Sequence, residues 1–273
     1  MVKLRAVLSL IDFQKKHLLP FFVLIVFLTV TEAVIFFPRI FYASLGASLA
    51  AVFLAIWQFA YKNLSGKSYY NFLLLPLVFV LNLYTFLSIW PYESRLNMAL
   101  LQAVLFSGGA FLFAYLRLAY FYFVKPYLYK ENSFVNISSF GVFLAFYFAA
   151  TSSYASISYG QFLFFNLPTW TISVFMIAVT ALVTHQSFWS EKIAANFYYL
   201  LLVCLVVAEL SWSMTFLPVS HYVNGLALSA AYYFISHLAK IKLAGGLTGA
   251  VIKRYLAFAS IIILLIFLTG RWI

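Results

Sequence analysis

Charge is what this chain has least of. Only 8% of its 273 residues are Asp, Glu, Lys or Arg, and six of those are acidic. A soluble domain carries about 25% charged residues. There is too little polar surface here to coat a water-soluble globule, so hydrocarbon must be the solvent for most of the chain. Aspartate occurs once, as Asp12, which excludes the paired-aspartate chemistry of intramembrane proteases. Cysteine also occurs once, as Cys204 inside an apolar run. That excludes an intramolecular disulfide and a cysteine-based metal cluster. The sequence has no H-E-x-x-H, C-x-x-C or G-x-S-x-G pattern, so zinc hydrolysis, dithiol exchange and nucleophile-elbow chemistry find no support.

Apolar residues fill the space instead. They make up 66% of the chain, with a mean hydropathy of +1.01. Nine apolar runs lie near residues 18–37, 40–61, 69–90, 97–121, 136–158, 169–189, 194–217, 219–239 and 251–270. Each approaches the roughly 20 residues that a spanning helix needs. Barrel strands would alternate apolar and polar residues over about 10 positions, and these runs do not alternate. The expectation is an all-α, polytopic transmembrane helix bundle of nine spans over residues 18–270. Trp57, Trp90, Trp170, Trp189, Trp212 and Trp272 all lie near predicted helix ends, as an aromatic interfacial belt requires.

The basic residues set an orientation. With the N-terminus in the cytoplasm, 14 of the 17 lysines and arginines fall on the inner side. The outer side holds only Arg39, Arg95 and Arg271. This asymmetry predicts N-terminus in and C-terminus out. It also explains the net charge of +11 as orientation and contact with anionic lipid rather than nucleic-acid binding. Residues 1–17 are basic and have no small-residue cleavage site after them, so the first run is expected to stay in the membrane. Leu4, Val7, Leu8 and Ile11 share one helical face, which suits a cytoplasmic in-plane amphipathic segment or an ordered basic tail.

Prolines mark the outer turns: Phe36-Phe37-Pro38, Ile89-Trp90-Pro91, Asn166-Leu167-Pro168 and Phe216-Leu217-Pro218. Proline fits the first turn of a helix because its missing N–H is not needed there. Pro38 and Pro91 are 53 residues apart and Pro168 and Pro218 are 50 apart, consistent with two four-helix halves plus a ninth helix. A competing likeness pairs Glu32 before Pro38 with Glu209 before Pro218, each followed by a helix rich in small residues.

Glu32 and Glu209 are the two carboxylates inside spanning runs. An ionised carboxylate near mid-membrane costs about 2.5–3.5 kcal/mol, so each is a candidate for ligand binding or proton coupling. The structural alternative pairs Glu32 with Arg39 and Glu209 with Asn224. Asn82 and Asn224 are possible polar neighbours in a binding site. Pro76 marks its run as the best candidate for a kinked helix with exposed backbone carbonyls, of the kind that often lines binding cavities. Strips at Ala43, Ala47 and Ala51, at Ala145, Ala149, Ser152 and Ser156, and at Gly225, Ala227, Ser229 and Ala231 suit close helix packing. His185 and His237 could share a layer, but no haem-ligand motif surrounds them, and no cofactor or metal is expected. Residues 240–254 contain Lys240, Lys242, Lys253 and Arg254 around Gly245-Gly246. They lack the spacing of a phosphate loop, and the four cations are expected to contact anionic headgroups on the cytoplasmic face.

The stretch from Glu209 through Phe216-Leu217-Pro218 to Tyr232-Tyr233 resembles uncharacterised multi-pass membrane families of bacteria. The resemblance implies a bacterial cytoplasmic membrane and no particular activity. The functional expectation is transporter-like handling of a small solute or lipid-linked molecule. The alternative is a non-catalytic subunit or scaffold with a membrane-protein partner or a second copy of itself. An intramembrane enzyme ranks third.

Overall fold

The computed structural model describes residues 16–60, 68–90, 94–159, 169–193 and 197–269. All nine long elements among them are α-helices and no strand is formed. They are α1 (Leu19–Phe36), α2 (Phe41–Ala60), α3 (Ser68–Leu87), α4 (Arg95–Val124), α5 (Glu131–Tyr159), α6 (Thr169–Ser190), α7 (Phe197–Met214), α8 (His221–Leu243) and α9 (Gly249–Thr269). Single 3-10 turns, Pro38–Ile40 and Pro126–Leu128, follow α1 and α4. Each helix coincides with one expected apolar run. The expected in-plane segment, apart from Lys16 and His17, lies outside the described residues, as do the turns at Pro91 and Pro168.

Among the described residues, seven helices are long and apolar enough to cross a membrane; α6 and α8 are not among them. The two most apolar helices are not the buried ones. α1 and α9, at mean hydropathies of 2.4 and 2.3, are 28% and 0% buried, whereas α3, at 1.8, is 72% buried. A protein in water hides its most apolar helices. Here they are on the outside, as in a protein whose solvent is lipid.

The chain forms two compact units, Met1–Val80 with Pro91–Ser138 and Leu81–Trp90 with Ser139–Ile273. The division falls inside α3 and α5. In the first unit α1, α2 and α4 pack on one another. The unit's interior is aromatic, with α3 and the start of α5 meeting α4: Phe72 touches Tyr115, Tyr122, Phe123 and Phe134, and Phe79 touches Phe111. Aromatic pairs at such centroid separations add about 0.5–1.5 kcal/mol each beyond area burial. In the second unit α7 packs on α6 and α8, and α9 packs on α8. Its interior is polar, with a run of buried Ser and Thr along α5 and α6.

One sequence expectation changes here. α3 runs on through Pro76, which is buried. The Ala43 strip faces outward, because Ser44, Ser48 and Val52 point to the core instead. Both side-chain sets recur at helical spacing, and methyl size alone did not separate them. The other two strips are buried. The second lies where α5 meets α8. A Cβ on Gly225 would stand 2.1 Å from Thr151 Oγ1 and 2.9 Å from the Thr151 backbone.

The C-terminal ends of α6 and α8 close alike. After α8, Gly245 N–H donates to Lys242 O and Gly246 N–H to Ile241 O, both at 3.0 Å, with Gly245 at φ +76°. After α6, Lys192 N–H donates to Trp189 O and Ile193 N–H to Phe188 O, both at 3.0 Å, with Lys192 at φ +56°. Both are Schellman caps, which satisfy carbonyls that a helix end leaves open. Gly245-Gly246 is thus a helix terminator.

Candidate functional site

The second unit holds the best-formed candidate. A cavity of about 320 Å³ opens among α5, α6 and α7. Ser153, Tyr154 and Ile157 line it from α5 and Met176 from α6. Ser211, Trp212 and Phe216 line it from α7 and the turn beyond. Neither charge nor carboxylate lines it. Its walls combine hydroxyls with aromatic and sulfur-bearing apolar groups, which suits a neutral amphiphile.

The local sequence explains the wall. α7 ends at Met214, so the Ser211 carbonyl is one of the four that a helix C-terminus leaves unpaired. Thr215 N–H turns instead to Trp212 O at 3.1 Å. The Tyr154 hydroxyl from α5 donates to Ser211 O at 3.1 Å and fills the gap. Ser152, Ser153 and Ser156 donate to carbonyls one turn back, at 2.6, 2.8 and 2.7 Å. Such back-bonding satisfies hydroxyls where no water is at hand.

The interior of the second unit also carries three buried amides, none of which lines the cavity. Asn82 Nδ2 donates to Ala145 O at 3.0 Å, and its Oδ1 has no partner. Asn224 is buried with its Oδ1 unpaired, and Gln186 is fully buried with neither amide atom paired. A buried polar group without a partner costs about 1–3 kcal/mol, so this unit retains polar groups at the expense of stability. Thr184 Oγ1 lies 3.4 Å from the Tyr232 hydroxyl, and Tyr232 stacks on Phe146 at 4.2 Å.

At the capped ends of α6 and α8, the Lys240 ammonium donates to the Glu191 carboxylate. Lys240 is 6% exposed. Glu191 caps the negative end of α6, where the helix dipole disfavours it, and Lys240 offsets that charge. Of the four cations assigned to lipid contact, Lys240 is therefore turned inward. Its alkyl stem reaches across to α6, and the ion pair occupies its head. Lys242, Lys253 and Arg254 are exposed.

The other sequence candidates scatter. Glu32 and Glu209 are both exposed, four and five residues from their helix ends. At 1.5 Å per residue they lie about 6 and 7.5 Å from those ends, close enough for a carboxylate to reach toward headgroups. Arg39 is exposed in the 3-10 turn after α1. Among the described residues no hydrogen bond or ion pair joins Glu32 to Arg39 or Glu209 to Asn224. Asn224 faces inward while Glu209 faces outward. Asn82 and Asn224 are the two candidates that reach a polar interior.

Sequence reasoning passed over Gln186, Glu191 and the Tyr154–Ser211 contact. For Gln186 a signal existed: it lies in Thr180, Thr184, Gln186, Ser187 and Ser190, the polar tail of the least apolar half of α6. The His237 ring lies 5.9 Å from Tyr233 and 5.4 Å from Tyr255. No group of three or more His, Cys, Asp or Glu that could hold a metal occurs among the described residues. Comparison with known family models, curated proteins and solved structures gives no match to this chain.

Proposed function

We propose that this is a nine-span protein of the bacterial cytoplasmic membrane, N-terminus in and C-terminus out. Its second unit binds and hands on a small or lipid-linked amphiphile that is neutral at its polar end. The observation that carries the reading is the uncharged cavity in a unit whose interior also holds three buried amides with unpartnered atoms. A unit built only to pack would gain from replacing those amides with apolar groups. Retaining them fits a transient partner, the polar end of a ligand passing through. α6 and α8 count as spans because their polar side chains face the protein interior, where the bilayer does not meet them. The orientation rests on the basic-residue asymmetry, and the bacterial setting on the resemblance around Glu209–Tyr233.

Native mass spectrometry of protein released gently from its membrane tests the reading. Wild type should carry a small molecule or one lipid species at near-unit stoichiometry. Ala208→Phe, which fills the cavity from α7, should lose it while still eluting as a folded monodisperse particle. Retention by the filled variant, or a bare wild type, overturns the carrier reading.

A second reading, a subunit of a larger membrane assembly, is favoured by one specific observation. α9 has no buried side chain over 249–268, and Glu32 and Glu209 are exposed in helices of otherwise apolar surface. Partner helices would cover such surfaces. A stoichiometric partner protein in the same spectrum, lost on Glu32→Gln with Glu209→Gln, supports it. In this reading the two carboxylates serve assembly and not coupling.

A further inference from the structure

A second cavity, of about 350 Å³, lies in the first unit where the start of α1 meets the end of α4. His17, Arg117 and Lys125 line it together with Phe21, Phe113 and Tyr120. No carboxylate lines it. Arg117 is exposed, with its guanidinium carbon 5.6 Å above the Phe121 ring, a placement that orients the planar fork. Tyr120 is 3% exposed, and its buried hydroxyl has no hydrogen-bond partner. A buried hydroxyl without a partner is costly, and a ligand oxygen is the partner this wall lacks. Lys16, which precedes His17 in sequence, donates to Gln58 O at 2.9 Å.

We infer that this cavity binds the headgroup of an anionic phospholipid. Arg117 would take the phosphate, with Lys125 and His17 at its sides and the Tyr120 hydroxyl donating to a phosphate oxygen. Arginine suits the role because its donors match two phosphate oxygens at once. A free phosphate would need only the cations. The apolar wall speaks for a lipid: Phe21 continues into Phe22 and Ile25 along α1, and these three are 50%, 60% and 63% exposed. An acyl chain leaving the cavity would lie on that face. This site is separate from the cations around Gly245-Gly246 and does not depend on a carrier role for the second unit. In the proposed orientation it opens to the cytoplasmic leaflet, where anionic lipid concentrates.

The test uses the full chain in neutral detergent micelles. Binding is read by thermal stability and by native mass spectrometry, with phosphatidylglycerol, phosphatidylcholine and inorganic phosphate as separate additives. Phosphatidylglycerol should bind and raise the melting temperature, and the other two should not. Arg117→Gln should weaken that binding by about tenfold, the loss of one charge-assisted pair. Tyr120→Phe, nearly isosteric, should weaken it by about threefold. Lys130→Gln, an exposed cation outside the cavity, should leave it unchanged. Equal binding of phosphatidylcholine would mean that the headgroup charge is not read. An equal response to inorganic phosphate would make it a free-anion site. Equal loss in Lys130→Gln, or no loss in Arg117→Gln and Tyr120→Phe, would reduce it to general surface attraction. Each of these outcomes overturns the inference.

Discussion

The two units are built from similar apolar sequence and fill their interiors differently. Among the described residues the first unit buries four polar side chains, Thr31, Ser44, Ser48 and Ser138, and the second buries fifteen. The first unit's interior is rings; the second's is hydroxyls, amides and one ion pair. In lipid the apolar effect does not drive helices together, because the bilayer is as apolar as leucine. Cohesion must come from close packing and from polar contacts. The first unit takes the former route with interlocking aromatics, and the second takes the latter. The contrast teaches that a polar interior in a membrane protein is not by itself a pore. It is also a means of association, and function has to be argued from the groups left unsatisfied.

The sharpest break of the comparison is at glycine. Each unit has a helix crossing at one: Gly225 in the second, Gly109 in the first. A Cβ on Gly225 meets the backbone of Thr151, whereas one on Gly109 meets only Leu24 Cδ1 at 2.8 Å and Leu28 Cδ2 at 3.2 Å. Backbone cannot move aside without shifting α5, but leucine tips can turn. Gly225→Ala should therefore cost about 3 kcal/mol, the upper range for overpacking, and Gly109→Ala under about 1 kcal/mol. Unfolding in mixed micelles by denaturing-detergent titration would measure both. Equal costs would mean that the units pack alike and that the contrast is only chemical.

Next in size is the ion pair. Lys240→Met strands the Glu191 carboxylate at a helix end that disfavours it. Removing one partner of a buried pair costs about 3–5 kcal/mol; with Glu191 partly exposed, screening by solvent reduces this to about 2–3 kcal/mol. Adding Glu191→Gln should recover most of it, since the orphan charge is what hurts. The readout is the double-mutant cycle in the same titration. A double variant as unstable as the single would assign the loss to the Lys240 stem and its packing instead.

How much of this was legible beforehand follows from the same contrast. All nine helices were, because length and apolarity mark them whatever they pack against. Which face turns inward was not. Helices apolar all round carry almost no periodic signal, so the Ala43 strip read as a contact surface when Ser44 and Ser48 hold that place. Asn82 and Asn224 were legible as site candidates because an amide in an apolar run has to be accounted for. Glu32 and Glu209 drew notice for the same reason and proved to face outward. Polarity gives a residue's cost but not its direction. Glu191 and Lys240 looked like loop charges, and their pairing depends on two helix ends meeting from positions 49 apart.

Gln186 sharpens the comparison in its functional sense. Both of its amide atoms are buried and unpaired. If the second unit were polar merely to hold together, Gln186 would contribute nothing, and Gln186→Leu should raise stability by about 1 kcal/mol. If the unit binds a ligand, the same variant should also lose the small molecule seen in native mass spectrometry. The expected outcome is both together, a more stable protein that retains less, the trade-off typical of a binding site. A stabilised variant with unchanged retention would remove Gln186 from the site and leave the cavity to act alone.

The smallest effect is at Lys192. It caps α6 in the left-handed region at φ +56°, the place that Gly245 takes after α8 at φ +76°. A side chain in that region costs about 1 kcal/mol, a cost glycine avoids. Lys192→Gly should thus stabilise, but glycine also loosens the unfolded chain, which returns part of the gain. A net increase of about 0.5 kcal/mol is expected, with an upward shift in melting temperature read by tryptophan fluorescence. The converse change, Gly245→Lys, should lower stability by about 1 kcal/mol. If Lys192→Gly destabilises instead, the lysine side chain contributes to the junction of α6 and α8 beyond closing a helix. That junction would then hold a charge cluster larger than Glu191 and Lys240.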